Sequence, residues 1–168
     1  MSTAEKSGAS SRVAVLGAGP GGYAAAFRAA DLGLEVTLID PETNPGGVCL
    51  YRGCIPSKAF LHVARVIREA READEWGVAF AAPRIDLVKL REWKESVVTK
   101  LTSGLAALAK ARGVRQIQGR ATFVDAHTLT VDGARPGRHE VEFDHGVIAA
   151  GSRAALPAAL PAPPEASD

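Results

Sequence analysis

The stretch Arg12-Val13-Ala14-Val15-Leu16-Gly17-Ala18-Gly19-Pro20-Gly21-Gly22-Tyr23 reads as a strand that runs into a glycine turn and then a helix. Arg12 to Leu16 is a short apolar and β-branched run that stops at Gly17. From Gly21 onward, Tyr23, Ala24, Ala25, Ala26, Phe27, Ala29 and Ala30 make an alanine-rich helix, which Gly33 ends as a C-terminal cap. Glu35-Val36-Thr37-Leu38-Ile39 is a second buried strand, closed by Asp40. Strand, helix and strand with short connections form a βαβ unit, so the expected class is α/β with a parallel sheet.

The turn has the pattern Gly17-x-Gly19-x-x-Gly22, with Ala18, Pro20 and Gly21 between. Gly17 permits the tight bend, Gly19 lets backbone approach a pyrophosphate, and Gly22 lets helix and strand pack closely. The helix N-terminus then offers unpaired N–H groups and the positive end of its dipole to phosphates. Asp40 ends the second strand at roughly the 20-residue spacing where a carboxylate takes ribose hydroxyls. A glycine-rich turn in an unrelated α/β domain is the competing reading. Strand, helix and terminal acid together weigh against it.

Gly46-Gly47-Val48-Cys49-Leu50-Tyr51-Arg52-Gly53-Cys54-Ile55-Pro56-Ser57-Lys58 holds the only two cysteines. Pro56 sits where a helix begins, which places Cys54 at a helix N-terminus, where the dipole favours thiolate. Lys58 adds positive charge one turn further on. In a regular helix the two cysteines would stand too far apart to bridge, and Gly53 lets Leu50 to Gly53 fold back and bring the sulfurs together. Metal binding would need more ligands, and His62, His127, His139 and His145 do not cluster in sequence. Inert core cysteines fit poorly with the flanking glycines and Pro56. A structural disulfide fits poorly with a cytoplasmic chain. The favoured reading is a redox-active pair with no metal site.

Composition bounds the rest. A chain of 168 residues suits one ordinary domain, and 46% hydrophobic with 23% charged residues is a globular balance. The net charge of +1 gives no electrostatic ground for a nucleic-acid or anionic-membrane partner. No apolar run is long enough to span a bilayer. Met1 to Ser11 is small and polar without an apolar core, which reads as a disordered leader on a cytoplasmic protein and not as a secretory signal.

Further along, Ile55 to about Glu75 has apolar residues at Phe60, Val63, Ala64, Ile67 and Ala70, the spacing of a helix. Leu87 to Arg112 is a longer amphipathic helix with Leu90, Val97, Leu101, Leu105 and Leu108 on one stripe. Val114 to Gln118, Ala121 to Val124, Thr128 to Val131 and Glu140 to Phe143 read as an antiparallel meander, with turns at Asp132-Gly133 and Pro136-Gly137. Val147 to Ser152 is a last buried strand ending in a glycine turn. The expected organisation is a leader over 1–11, a nucleotide-binding domain over 12–153, and an Ala/Pro-rich tail over 154–168 without assigned structure.

The glycine turn, the cysteine motif and Ala149-Ala150-Gly151-Ser152 closely resemble the flavin-dependent pyridine-nucleotide disulfide oxidoreductases, over about Arg12 to Leu156. Within that family, Cys-Leu-x-x-Gly-Cys-Ile-Pro-Ser-Lys-Ala is similar to the branch that oxidises dihydrolipoamide. The resemblance implies a Rossmann-like FAD-binding domain, with the FAD pyrophosphate at Gly17 to Gly22 and the adenosine ribose at Asp40, where relatives usually carry glutamate. Gly46, Gly47, Val48 and Cys49 would line the flavin side. Cys54 would be the charge-transfer thiolate against the ring, Cys49 the interchange sulfur, and Lys58 the partner of flavin N5. Ala121 would offer a backbone contact near adenine. Ala150, Gly151 and Ser152 match a family Ala-Thr-Gly-Ser segment without its threonine, which is expected to weaken binding slightly. Tyr51-Arg52 replaces a common Asn-Val.

The implied activity is oxidation of protein-bound dihydrolipoamide through the Cys49–Cys54 disulfide and FAD to NAD⁺. The implied partners are a lipoyl domain of a 2-oxo acid dehydrogenase complex and a second copy of the full-length protein. The chain carries a single Gly-x-Gly-x-x-Gly turn and none of the family's C-terminal His-Glu motif. The expectation is therefore an N-terminal portion with an incomplete FAD domain, inactive alone and without the NAD site. The alternatives are part of a related disulfide or mercuric reductase, or a non-catalytic FAD-binding fragment.

Overall fold

The computed structural model describes residues 10–133, 139–153 and 155. Its centre is a six-stranded sheet in the order β5-β4-β3-β2-β1-β6. β1 (Arg12–Leu16) runs parallel to β2 (Glu35–Asp40) on one side and to β6 (His145–Ile148) on the other. β2 pairs parallel with the first half of β3 (Arg115–Phe123). The second half of β3 pairs antiparallel with β4 (Thr128–Gly133), which pairs antiparallel with β5 (His139–Glu142). The α/β class with a small antiparallel meander is thus as expected.

Side chains of β1 and β2 alternate between two cores, as strand geometry requires. Val13, Val15, Val36 and Leu38 face Ala26 of α1 (Pro20–Asp31) together with Ala109 and Val114. Ala14 and Ile39 face Leu129, Val131, Val141 and Phe143 of the meander. One face of the parallel sheet is therefore covered by helix and the other by strands. Such double burial is why β1 and β2 read as continuous apolar runs. Pro20 opens α1, and Gly33 follows its end at φ +83°, the left-handed conformation of a helix stop.

Two further helices stand beside the sheet. α3 (Cys54–Glu72) ends in a 3₁₀ turn (Ala73–Trp76), close to the expected span. α4 (Leu87–Ala111) starts at Asp86, whose Oδ1 accepts from the N–H groups of Val88 and Lys89. A short α2 (Gly47–Tyr51), not foreseen, contains Cys49.

Several expectations need correction. Val114–Gln118 and Ala121–Val124 are not two meander strands. They merge into β3, and its first half belongs to the parallel sheet. Asp132 and Gly133 are the last residues of β4, not a turn. A Cβ at Gly119 would lie 2.5 Å from Asp132 O, so glycine there reflects strand contact and not a break. The turn proposed at Pro136-Gly137 lies outside the described residues. β6 stops at Ile148 and is not buried: it is a sheet edge with Ile148 70% exposed. On α4 the buried positions are Val98, Thr102 and Ala109, while Leu101 and Leu108 face outward. Ser10 and Ser11, placed in the expected leader, bind the sheet region. Ser10 Oγ donates to Gly33 O, and Ser11 O accepts from Glu35 N–H. Residues 1–9, 154 and 156–168 of the expected leader and tail lie outside the described residues.

Candidate functional site

A groove of about 690 Å³ opens at the carboxyl ends of β1 and β2, the end where open α/β sheets hold ligands. Its floor is Gly17, Gly19, Pro20 and Gly21. Asp40, Pro41 and Glu42 continue from β2, while Gly47, Val48, Cys49 and Arg52 come from α2 and its exit. Gly119, Arg120 and Ala121 of β3 and Ala149 to Ser152 after β6 complete the wall. The distant segments expected at one site are thus brought together.

Backbone contact shapes the floor. A Cβ on Gly22 would fall 1.7 Å from Gly17 O, so α1 and the glycine turn touch main chain to main chain. Gly47 sits at φ +58°, and its Cβ would fall 2.5 Å from Gly19 Cα. The start of α2 therefore lies directly against the glycine turn, tied further by Gly46 N–H donating to Ala18 O at 2.8 Å. Ala18, Gly22 and Gly46 are buried behind the wall and shape the groove without lining it.

Asp40 closes the turn from the other side. Its Oδ2 accepts from Ala18 N–H at 2.7 Å and its Oδ1 from Glu42 N–H at 2.8 Å. Both oxygens thus hold main chain, a role the spacing argument did not foresee. Beyond it, Glu42 Oε1 accepts from Arg52 at 2.6 Å. Tyr51 Oη donates to Asn44 O at 3.1 Å. Glu42, Tyr51 and Arg52 were absent from the expected set. Arg52 stands between the cysteines, but its partner lies ten residues earlier on a loop, where no periodic signal exists.

The dithiol forms where the chain doubles back between α2 and α3. Cys49 is half-buried on the groove wall, and Cys54 is exposed at the head of α3 and does not line the groove. The two are free thiols, and the chain doubles back closely enough that a Cβ at Gly53, next to Cys54, would lie 3.4 Å from Cys49 Cα. The neighbouring Cys54 is the main cause pushing the Cys49 thiol above the ordinary thiol range. Burial pushes the same way, and the charge of Lys58 pulls against both. Lys58 is exposed and outside the groove lining. Ser57 Oγ donates to Gly53 O at 2.9 Å, fastening the first turn of α3. Among the described residues no three or more His, Cys, Asp or Glu side chains gather as a metal site, and no helix is long and apolar enough to cross a membrane.

Many known proteins are similar to this chain. Dihydrolipoyl dehydrogenase of Haemophilus influenzae is 56% identical over 142 residues, which cover 84% of this chain and 30% of the relative. The Vibrio cholerae protein of the same name is 52% identical with the same coverage. Among solved structures, LpdA from Mycobacterium tuberculosis superposes with a TM-score of 0.76 at 27% identity, covering 90% of this chain and 34% of that one. The flavoprotein disulfide reductase RclA from Escherichia coli gives 0.69 at 25% identity, covering 88% of this chain and 29% of that one. The chain spans about 30% of the length of the curated relatives it matches. The model of the family described as pyridine nucleotide-disulphide oxidoreductase matches residues 11–166. With a match of that extent over this groove and dithiol, the chain belongs to the pyridine nucleotide-disulphide oxidoreductase family.

Proposed function

We propose that this chain is the FAD-binding, dithiol-bearing portion of a dihydrolipoyl dehydrogenase. One observation carries the reading: Cys49 lies on the wall of the same groove as the glycine turn, and the backbone at Gly53, next to Cys54, folds back against it. The domain then runs from about residue 12 to 153.

The groove fits a dinucleotide on its own geometry. Gly17, Gly19 and Gly21 leave most of its floor without side chains, and α1 starts there with no side-chain cap on its N–H groups. Gly17 to Gly22 would hold the pyrophosphate. Asp40 keeps a second lone pair on each oxygen for ribose hydroxyls. Ala121 would meet adenine, Gly47 to Cys49 the flavin with Gly46 buried behind them, and Ala150 to Ser152 the remaining wall, while Lys58 would have to reach the flavin from outside the present lining. When bound, FAD supplies a two-electron acceptor for the dithiol and a hydride donor for NAD⁺.

The chain's own chemistry is thiol–disulfide exchange. A dihydrolipoyl thiolate attacks Cys49 Sγ of the Cys49–Cys54 disulfide, and Cys54 leaves as thiolate. The second substrate thiol attacks the mixed disulfide, which frees Cys49 and closes the lipoyl ring. The substrate loses two electrons and the protein disulfide gains them. NAD⁺ reduction, the lipoyl domain of a 2-oxo acid dehydrogenase complex, a homodimer and a cytoplasmic setting belong to the same proposal for the full-length protein.

A visible spectrum of the purified chain with added FAD, before and after one equivalent of dithionite, tests the reading. Perturbed flavin bands with long-wavelength absorbance that vanishes in Cys54→Ser are expected. FAD that stays spectrally free refutes flavin binding by this chain.

A further inference from the structure

We infer that Arg52 and Glu42 are positioning residues that hold the dithiol turn ready to close. The inference rests on the thiol-exchange reading above. Arg52 is the residue after α2, between the two cysteines, and its guanidinium donates to Glu42 Oε1 at 2.6 Å. Glu42 N–H donates to Asp40 Oδ1, and Asp40 Oδ2 accepts from Ala18 N–H. Three consecutive bonds therefore run from the dithiol turn through the β2 exit into the glycine turn. Tyr51, the neighbouring residue, adds its own tie to Asn44 O.

In the reduced chain the turn is already folded back: Arg52 N–H donates to Val48 O at 2.9 Å, and a Cβ at Gly53 would lie 3.4 Å from Cys49 Cα. Holding the turn in that conformation raises the effective concentration of one thiol at the other, which favours the disulfide over the open dithiol. Closing it with glutathione disulfide forms one protein S–S bond and releases two glutathione thiols. The protein dithiol loses two electrons and two protons to the reagent. Glu42 is the more enclosed partner, with its side chain 29% exposed, and Arg52 is 61% exposed. A pair so placed is open to salt, and its loss is worth about a 2- to 5-fold change in an equilibrium.

The test equilibrates the chain in glutathione redox buffers and measures the fraction of Cys49–Cys54 disulfide by alkylation and mass spectrometry. Arg52→Ala and Glu42→Gln should each move the midpoint about 2- to 5-fold toward the dithiol. The double variant should move it no further, and the charge-swapped pair Arg52→Glu with Glu42→Arg should recover it. Raising salt to molar levels should move wild type the same way and leave Arg52→Ala unmoved, a readout that needs no variant to fold differently. Unmoved midpoints in the single variants, or salt dependence that persists in Arg52→Ala, overturn the inference while leaving thiol exchange intact. A wild-type chain that forms no disulfide in any buffer overturns both.

Discussion

Replacing Gly22 by alanine is the sharpest perturbation this structure offers. The new Cβ would stand 1.7 Å from Gly17 O and 2.8 Å from Gly17 C. An ordinary carbon–oxygen approach is about 3.3 Å, so α1 and the glycine turn must separate by about 1.6 Å. Overpacking usually costs about 1–3 kcal/mol, and here the upper end applies because both partners are main chain with no rotamer to yield. A cost of about 3 kcal/mol corresponds to a fall in Tm of about 6–12 °C for a chain of this size. Gly21 is the built-in control. It is the adjacent helical residue, is exposed, and meets nothing within 4 Å when given a Cβ. Gly21→Ala should raise stability by about 0.5 kcal/mol through helix propensity alone. Urea and thermal unfolding followed by circular dichroism, without added nucleotide, separate the two. Equal effects of the two substitutions, or a Gly22→Ala chain within 0.5 kcal/mol of wild type, would refute the backbone-contact argument.

Three other outcomes are expected. Leu129 is fully buried between β4 and the parallel sheet, so Leu129→Ala should cost about 2–5 kcal/mol in urea unfolding, and a cost below about 1 kcal/mol would mean that the meander is not part of the core. Cys54→Ala removes the main cause holding the Cys49 thiol high; the pH inflection of iodoacetamide labelling at Cys49 should therefore move down, and an upward move would contradict the assigned cause. Asp144 is held below the ordinary carboxylate range, first by the N–H of Arg12 and then by its guanidinium. Its contribution is present above the ordinary carboxylate pKa and is lost as pH falls through the lowered value. The stability gap between wild type and Asp144→Asn should accordingly be full at neutral pH and close on acidification; a gap that widens in acid would reverse the argument.

The sequence makes legible what local geometry imposes. The glycine spacing, the alanine helix and the Gly33 stop each follow from constraints over a few residues, and each is present. β1 and β2 were legible because burial on both faces leaves a continuous apolar run. The dithiol turn was legible through Gly53 and Pro56. Long-range pairing was not. Gly119 carries the same letter whether it ends a strand or lets two strands approach, so β3 was split in two. Leu101 and Leu108 fit a helical stripe by spacing, but the face that packs is set by Val98, Thr102 and Ala109, where α4 meets its neighbours. The β6 residues are apolar enough for a core, yet no described element covers Ile148. Asp40 was foreseen at the groove, but its bonds to Ala18 and Glu42 depend on the fold of two loops.

β1 has its two partners at very different distances along the chain. β2 follows after one helix, whereas β6 arrives 132 residues later, as the Arg12–Asp144 contact measures. At about 5–20 residues per second of synthesis, that separation amounts to roughly 7–26 s. Throughout that interval one edge of β1, with Val13, Ala14 and Val15 beside it, has no strand to pair with. An unpaired apolar edge is a template for other chains. For the nascent polypeptide the hazard is therefore measured on a clock, and slow codons between β2 and β6 would lengthen it without changing a single residue.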